Sequence, residues 1–375
     1  MDRHVELPAQ APLSAGGTLT VREAVFKLLP SFGMTSVFGN PGSTVLPMFI
    51  VFPVGVRYVL GLQESVVVGM ADGYAQATHN AAFVNLHSAA GVGHAMGNIF
   101  TAFRNRTPLV ITAGQQARSI LPFEPFLGPT QAPELPRPYV KWSVEPARAE
   151  DVPLAIARAY YIAMTPPRGP VLVSIPSDDW DVQTLPVDAR EVSRHMRADP
   201  DLLARIGAAL DGARSPAFVV GAAVDRDEAW KEAVQLAERH NARVYVAPMS
   251  GRCSFPEDHP LWGGFLPPMR ERIVDRLAGH DLVFALGAPA FTYHVPGQGP
   301  HLPEGTELVQ LTDDPQVAAW APTGSSVVGS IRLGLLDLLE CSTPRDRPAP
   351  PAHVRPPRMA EPEPGGRLPV AWGLQ

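Results

Sequence analysis

Short, uninterrupted apolar runs alternate with amphipathic stretches along most of this chain, and that alternation restricts the fold more than any other feature. Residues 57–62, 82–86, 109–113 and 171–175 are apolar or β-branched almost throughout, and stretches of helical character at 64–78, 94–104 and 152–164 join them. A strand with one wet face alternates apolar and polar residues, whereas a strand covered on both faces does not. Covered strands taken in turn with helices predict a doubly wound α/β domain built on a parallel sheet. The pattern opens at TLTVREAVFKLL (18–29), where Thr20 and Glu23 have the spacing of a helix capping box. A short strand is expected at 37–38, and the domain as a whole over 18–180.

A polar stretch at 181–200 reads as a connector, after which the alternation resumes. Helices expected at 202–212 and 227–240, with strands at 216–220, 243–247, 282–286 and 307–311, predict a second Rossmann-like α/β domain over 201–340. Residues 1–17 are expected to be disordered. The chain has 42 prolines, many of them within 342–366, a composition that suits a semi-extended linker. Residues 341–375 are accordingly expected to be a Pro-rich linker running into the truncated start of a third domain.

With 375 residues there is ample chain for two or three cores. A formal net charge of −6 argues against a nucleic-acid binder, which normally presents a basic face. The N-terminal segment has no apolar stretch of the secretory type, and no apolar run approaches the roughly 18 residues of a membrane span. Cys253 and Cys341 fit neither a zinc spacing nor a disulfide framework, and no metal-ligand set is read from the sequence. These readings make the cytoplasm the default location.

Three places carry candidate chemistry. Glu64 sits where an apolar strand runs into a helix, in VRYVLGLQESVVVGMADGYAQA (56–77). It reads either as a solvated helix-start carboxylate favoured by the macrodipole or as a carboxyl entering dry surroundings. Burial disfavours the charged form, and a neutral carboxylic acid can donate a hydrogen bond. His87 ends a strand, the edge of an open α/β sheet where ligands bind, although a lone histidine there also suits a core position. Ser43, in GNPGST, reads as a helix N-cap, and Gly42 beside it would let a ligand approach the backbone. Gly91, Gly93 and Gly97 are spaced GxGxxxG, one residue off the dinucleotide fingerprint, and are expected to form a tight strand–helix turn.

The blocks FGNPGS, LQES…ADGYAQA, NLHSAAG, LVITAGQQ, LPRPYVKWS and GPVLVSIPSDDWD jointly resemble the thiamine diphosphate (ThDP) dependent 2-keto acid decarboxylases, most closely the benzoylformate decarboxylases. The resemblance covers roughly residues 18–340. It implies that Glu64 bonds a ring nitrogen of the cofactor's aminopyrimidine, with Asn40, Pro41, Gly42 and Gly91 lining the same pocket. It also implies that His87 serves proton transfers, that Ser43 contacts the substrate carboxylate, and that Phe126 and Leu127 flank the substrate's aromatic ring. His294 matches a histidine that the family brings in from its middle domain. The implied reaction converts benzoylformate to benzaldehyde and CO2.

In that family the diphosphate and Mg2+ are held by a later domain, through a Gly-Asp-Gly stretch and paired Asn. The resemblance therefore implies that this chain carries only the pyrimidine half, and that it is inactive without a partner chain carrying the diphosphate site. A homo-oligomer, dimer or tetramer, is expected. The competing expectations are a non-catalytic remnant acting in oligomerisation, and a component of an acetolactate synthase-like carboligase. Some relatives hold FAD in the middle domain, but no feature of the sequence supports that here.

Overall fold

A computed structural model describes residues 17–343 and 346–354. It divides into two units, residues 1–194 and 195–375. The division falls within the stretch expected to be a connector.

The first unit contains β1 (Leu19–Thr20), α1 (Val21–Ser31), β2 (Ser36–Gly39), β3 (Arg57–Leu60), α2 (Glu64–Thr78), β4 (Ala82–Leu86), α3 (Ser88–Arg104), β5 (Leu109–Gln115), β6 (Ser143–Val144), α4 (Val152–Met164), β7 (Val171–Pro176) and β8 (Gln183–Thr184). Thr20 caps α1 as its spacing predicts: its hydroxyl accepts from the Glu23 N–H at 3.2 Å, and the Glu23 carboxylate accepts from the Thr20 N–H at 2.8 Å. Six strands pair in the order β3-β2-β4-β5-β7-β6, all parallel. Successive strand residues face opposite layers, which puts Val110 against α1 and α4 and Ile111 against α2 and α3. That two-sided demand is why the central strands are apolar at nearly every position. β8 pairs antiparallel with β1, so the first unit extends beyond the expected boundary at residue 180.

The second unit contains α5 (Pro200–Gly212), β9 (Pro216–Val220), α6 (Ala222–Arg226), α7 (Trp230–Arg239), β10 (Arg243–Val246), β11 (Trp262–Phe265), α8 (Arg270–Leu277), β12 (Leu282–Leu286), β13 (Glu307–Thr312), α9 (Pro315–Ala319), β14 (Ser325–Val328) and α10 (Ile331–Cys341). Its sheet is again parallel and six-stranded, in the order β11-β10-β9-β12-β13-β14. One face packs on α5, α7 and α10, and the other on α8. The helix expected at 227–240 begins later, at Trp230, because the chain turns after α6 with Glu228 at a positive φ of 53°.

The proline-rich segment does not simply lead away after residue 341. Its residues 346–354 lie against the second unit, where the Arg347 guanidinium donates to the carbonyls of His240 (3.0 Å), Leu210 and Asp211 (both 3.1 Å). Asn241 Nδ2 returns a bond to the Arg347 carbonyl at 2.8 Å, and His353 packs edge-on against Trp262. The start of a third domain, expected in GGRLPVAWGLQ, and nearly all of the expected disordered N-terminus lie outside the described residues. Among the described residues no helix is long and apolar enough to cross a membrane.

Candidate active site

In the first unit the chain passes from β2 to β3 on one side, then crosses back to β4 and moves outward to β5. The connections leaving the carboxyl ends of β2 and β4 therefore diverge, and such a switch point opens a crevice at the sheet edge. Asn40 follows β2, His87 follows β4, and Glu64 begins the helix that returns from β3 to β4.

Glu64 is the first residue of α2, and Gln63 caps that helix through its side-chain oxygen, 3.2 Å from the Val66 N–H. The Glu64 residue is 9% exposed. Both sequence readings thus meet in one residue, a helix-start carboxylate that is also largely buried. Asn40 Nδ2 donates to Oε1 at 3.2 Å, and His94 Nδ1 lies 3.3 Å from Oε2. The first turns of α3 hold this arrangement in place. Ser65 Oγ donates to the His94 carbonyl at 2.5 Å, Asn98 Nδ2 donates to the Ser65 carbonyl, and the Gly91 side faces Glu64, where a Cβ would stand 3.5 Å from Cγ.

His87 is the N-cap residue of α3 but makes no side-chain cap. Its Nδ1 lies 2.8 Å from Oγ1 of Thr44, which is 1% exposed. Gly42 lies against the imidazole, where a Cβ would stand 2.6 Å from both Nδ1 and Cδ2. The absent side chain at Gly42 thus makes room for His87, a protein neighbour that the sequence reading did not supply. Ser88, next along, is buried with φ +48° and its Oγ has no partner among the described residues. Strain of this kind needs firm surroundings to persist.

Several expected placements change. Ser43 is exposed in a turn and caps no helix; the short 3-10 helix Leu46–Phe49 starts after Val45 without a side-chain cap. Gly91, Gly93 and Gly97 lie inside α3 rather than in a turn before it. Pro41 is exposed. Phe126 is 87% exposed, and Leu127 next to it has φ +63°. Their loop is tied down by Gln115 Nε2 donating to the Pro129 carbonyl at 2.8 Å and Gln116 Nε2 donating to the Phe126 carbonyl at 2.7 Å. His294 belongs to the second unit, where it is exposed and its backbone N–H donates to the Pro268 carbonyl at 2.9 Å.

Thr44 and His94 escaped the sequence reading. Thr44 was overshadowed by Ser43, and His94, although it opens the helix expected at 94–104, gave no sign in the sequence that it would stand beside Glu64. Farther along the sheet edge, Arg118 grips Asp179 in a two-pronged ion pair at 2.7 and 2.8 Å, and also donates to the carbonyls of Pro146 (2.7 Å) and Ala147 (3.1 Å). Burial pushes the Asp179 carboxyl above its ordinary range, against the pull of the Arg118 hydrogen bonds. Tyr58, on β3, is pushed up to about 12 by burial.

The first unit is thus a parallel α/β domain with a largely buried carboxyl at a helix start and a histidine just past a strand end, both near one switch point of the sheet. Residues 19–133 match the thiamine pyrophosphate enzyme N-terminal TPP-binding domain, and residues 203–338 match the central domain of the same enzymes. The chain belongs to the thiamine pyrophosphate enzyme family. It is 48% identical to benzoylformate decarboxylase of Pseudomonas aeruginosa over 347 residues, which are 91% of this chain and 66% of that protein. The crystal structure of benzoylformate decarboxylase from Polynucleobacter necessarius superposes with a TM-score of 0.90 at 41% identity, covering 95% of this chain and 67% of that one. A ThDP-dependent 4-hydroxybenzoylformate decarboxylase of Rhodococcus jostii gives 0.86 at 41% identity, covering 92% and 66%. The chain thus spans about two thirds of the length of these relatives.

The residues present fit the pyrimidine end of ThDP. A largely buried carboxyl can share a proton with a ring nitrogen, and its contacts at 3.2 and 3.3 Å are long enough for a ligand nitrogen to displace one of them.

Proposed function

We propose that this chain supplies the cofactor-activating half of a ThDP-dependent 2-keto acid decarboxylase, with benzoylformate, converted to benzaldehyde and CO2, as the leading substrate. The observation that carries the reading is the placement of Glu64: largely buried at the start of α2, at the sheet's switch point, with Asn40 and His94 on its two oxygens. Bound ThDP supplies the electron sink that decarboxylation of a 2-keto acid requires. Glu64 would meet the aminopyrimidine and hold a proton at its ring nitrogen, while Asn40 and His94 orient the carboxyl. His87, at the end of β4, would move a proton at Nε2. The Ser43 hydroxyl would receive the substrate carboxylate, and the apolar Phe126 and Leu127 would contact its aromatic ring. The names of these three relatives, all aryl-glyoxylate decarboxylases, support an aromatic substrate over the small 2-keto acids of a carboligase.

The diphosphate and Mg2+ belong in this reading to a further domain, in the third of the relatives' length that this chain does not match. Mg2+ is normally held by one or two carboxylates together with phosphate oxygens. Residues 1–375 by themselves are then expected to bind ThDP weakly and to turn over no benzoylformate. Activity should appear when a polypeptide carrying the diphosphate domain is co-expressed. In that assembly Glu64→Gln should abolish turnover and leave folding intact; full activity of Glu64→Gln would overturn the assignment.

A second reading, association without catalysis, draws on the exposed apolar side chains of the first unit, including Ile50, Val54, Leu62 and Val66. Patches of this kind mark interaction surfaces. Sedimentation of the purified chain tests it: a monomer at micromolar concentration would remove this reading and leave the first untouched.

A further inference from the structure

We propose that Thr44 is a positioning residue that fixes the tautomer of His87, so that the neutral imidazole carries its proton on Nε2 and presents that nitrogen as a hydrogen-bond donor. The inference deepens the proposed role of His87 and rests on it for its catalytic meaning, though not for its structural content.

Three observations lead there. Thr44 is 1% exposed, so its hydroxyl must find its partner inside the protein. Among the described residues that partner is His87 Nδ1, at 2.8 Å. A hydroxyl can donate or accept. If Oγ1 accepted from an Nδ1–H, its own proton would be left buried without an acceptor, and an unmade buried hydrogen bond is costly. The hydroxyl therefore donates to Nδ1, and the ring proton of neutral His87 sits on Nε2. Gly42 closes the alternative of a moved ring. With a Cβ position 2.6 Å from Nδ1 and Cδ2, the loop after β2 leaves the imidazole no spare room on the Gly42 side. Gly114 contributes in turn, since a Cβ there would collide with Thr44 Oγ1 and stand 2.6 Å from Val45 Cγ1. The loop after β2, the end of β5 and the end of β4 thus set one ring nitrogen as an acceptor and leave the other to face a reacting group.

The chemistry this favours is hydrogen-bond donation from Nε2 to a reacting group rather than proton removal by Nε2. Decarboxylation of a 2-keto acid to an aldehyde replaces the lost carboxylate with a hydrogen, so a proton must be delivered to that carbon. A neutral His87 that gave up its Nε2 proton would be left as imidazolate, so delivery runs from the imidazolium, which takes its second proton from solvent, and between transfers the neutral ring's Nε2–H holds a hydrogen bond to the reacting group.

The test is long-range proton–nitrogen NMR of the full chain labelled with 15N-histidine, with the His87 signals assigned by their loss in His87→Gln. The wild type should show an unprotonated, hydrogen-bonded Nδ1 and a protonated Nε2 at neutral pH. Thr44→Val should shift the tautomer ratio toward Nδ1–H by roughly three- to tenfold, the worth of one net hydrogen bond, and Thr44→Ser should restore the wild-type pattern. A protonated Nδ1 in the neutral wild type would overturn the inference, as would a Thr44→Val spectrum identical to wild type. If Thr44→Val does not fold, the wild-type and Thr44→Ser spectra still decide the donor. The two readings separate cleanly. The expected tautomer together with unchanged turnover in a His87→Gln holoenzyme would keep the role of Thr44 and remove catalysis by His87. The opposite tautomer with turnover lost would do the reverse.

Discussion

Substitution of Gly42 by alanine should reveal how closely the loop after β2 is fitted to His87. A Cβ at Gly42 would stand 2.6 Å from Nδ1 and Cδ2 of the imidazole, whereas ordinary van der Waals contact begins near 3.4 Å. A shift of 3.4 − 2.6 = 0.8 Å would clear those two atoms, and the ring Cγ stands closer still, so ring or loop must yield by more than 0.8 Å. Both are confined, the ring by Thr44 and the strained Ser88 behind it. Overpacking at such a place costs about 1–3 kcal/mol. Gly42 does not lie in the left-handed region, so alanine there also removes freedom from the unfolded chain and stabilises by about 0.4–1 kcal/mol. The steric cost should win while His87 is present.

In a His87→Ala background the obstacle is gone and only the unfolded-state gain remains, so the sign should reverse. A double-mutant cycle followed by urea unfolding should give a coupling of about 1–3 kcal/mol, within the usual range for residues in contact. In the assembled enzyme the same displacement should lower kcat by roughly 10²-fold, the cost typical of a misplacement near 1 Å. Additive effects of the two substitutions on stability would refute the argument, whatever the activity showed.

Other outcomes follow from groups around the same sheet and from the second unit. Arg118→Ala should destabilise the first unit by about 3–5 kcal/mol, because it strands the buried Asp179 carboxylate; chemical denaturation measures this, and a loss under about 1 kcal/mol, the worth of an exposed pair, would contradict it. Tyr58→Phe should be neutral or stabilising by up to about 1 kcal/mol, since the phenol oxygen is buried with no partner among the described residues. Its raised pKa, about 12, is that of a group whose stabilising effect is complete below its unfolded value of 10.0 and fades as pH rises toward 12; the alkaline limb of a thermal-unfolding profile should flatten in the variant. His240, lowered from 6.5 to about 4 by burial and then by the nearby Arg347 cation, has the opposite sign. Its folded state resists protonation, so stability is full above pH 6.5 and falls toward pH 4, by about 2 kcal/mol at roughly pH 5. His240→Gln should remove that part of the slope between about pH 7 and 4.5, and an unchanged slope would show that other groups carry it.

What could be read in advance, and what could not, divides along a physical line. Strands β4, β5 and β7 announce themselves because burial on both faces requires apolar residues almost throughout, and α1 because a capping box is local chemistry. β11 (WGGF) and β14 (SSVV) carry no such signature. They are edge strands, where glycine and serine are tolerated; β14 is only partly buried, and β11, though buried at its first three residues, draws two of its four from glycine. At the site, Glu64 and His87 were legible because each ends or begins an element whose boundaries the sequence marks. Thr44, His94 and the purpose of Gly42 were not, for their importance lies in contacts between distant parts of the chain that only the folded sheet creates.

The same distinction explains the proline-rich segment, whose composition signals extended backbone correctly but cannot say what that backbone rests on. Arg347 is decisive there. It places a guanidinium among three carbonyls at the ends of α5 and α7, helix ends whose last carbonyls have no partner within the helix. An extended strand rich in proline has few N–H groups to offer, so a single arginine side chain supplies the donors that hold it. Cutting the chain before residue 346 should therefore lower the urea midpoint of the second unit, although composition alone would mark those residues as dispensable; an unchanged midpoint would show that the Arg347 contacts add nothing to its stability.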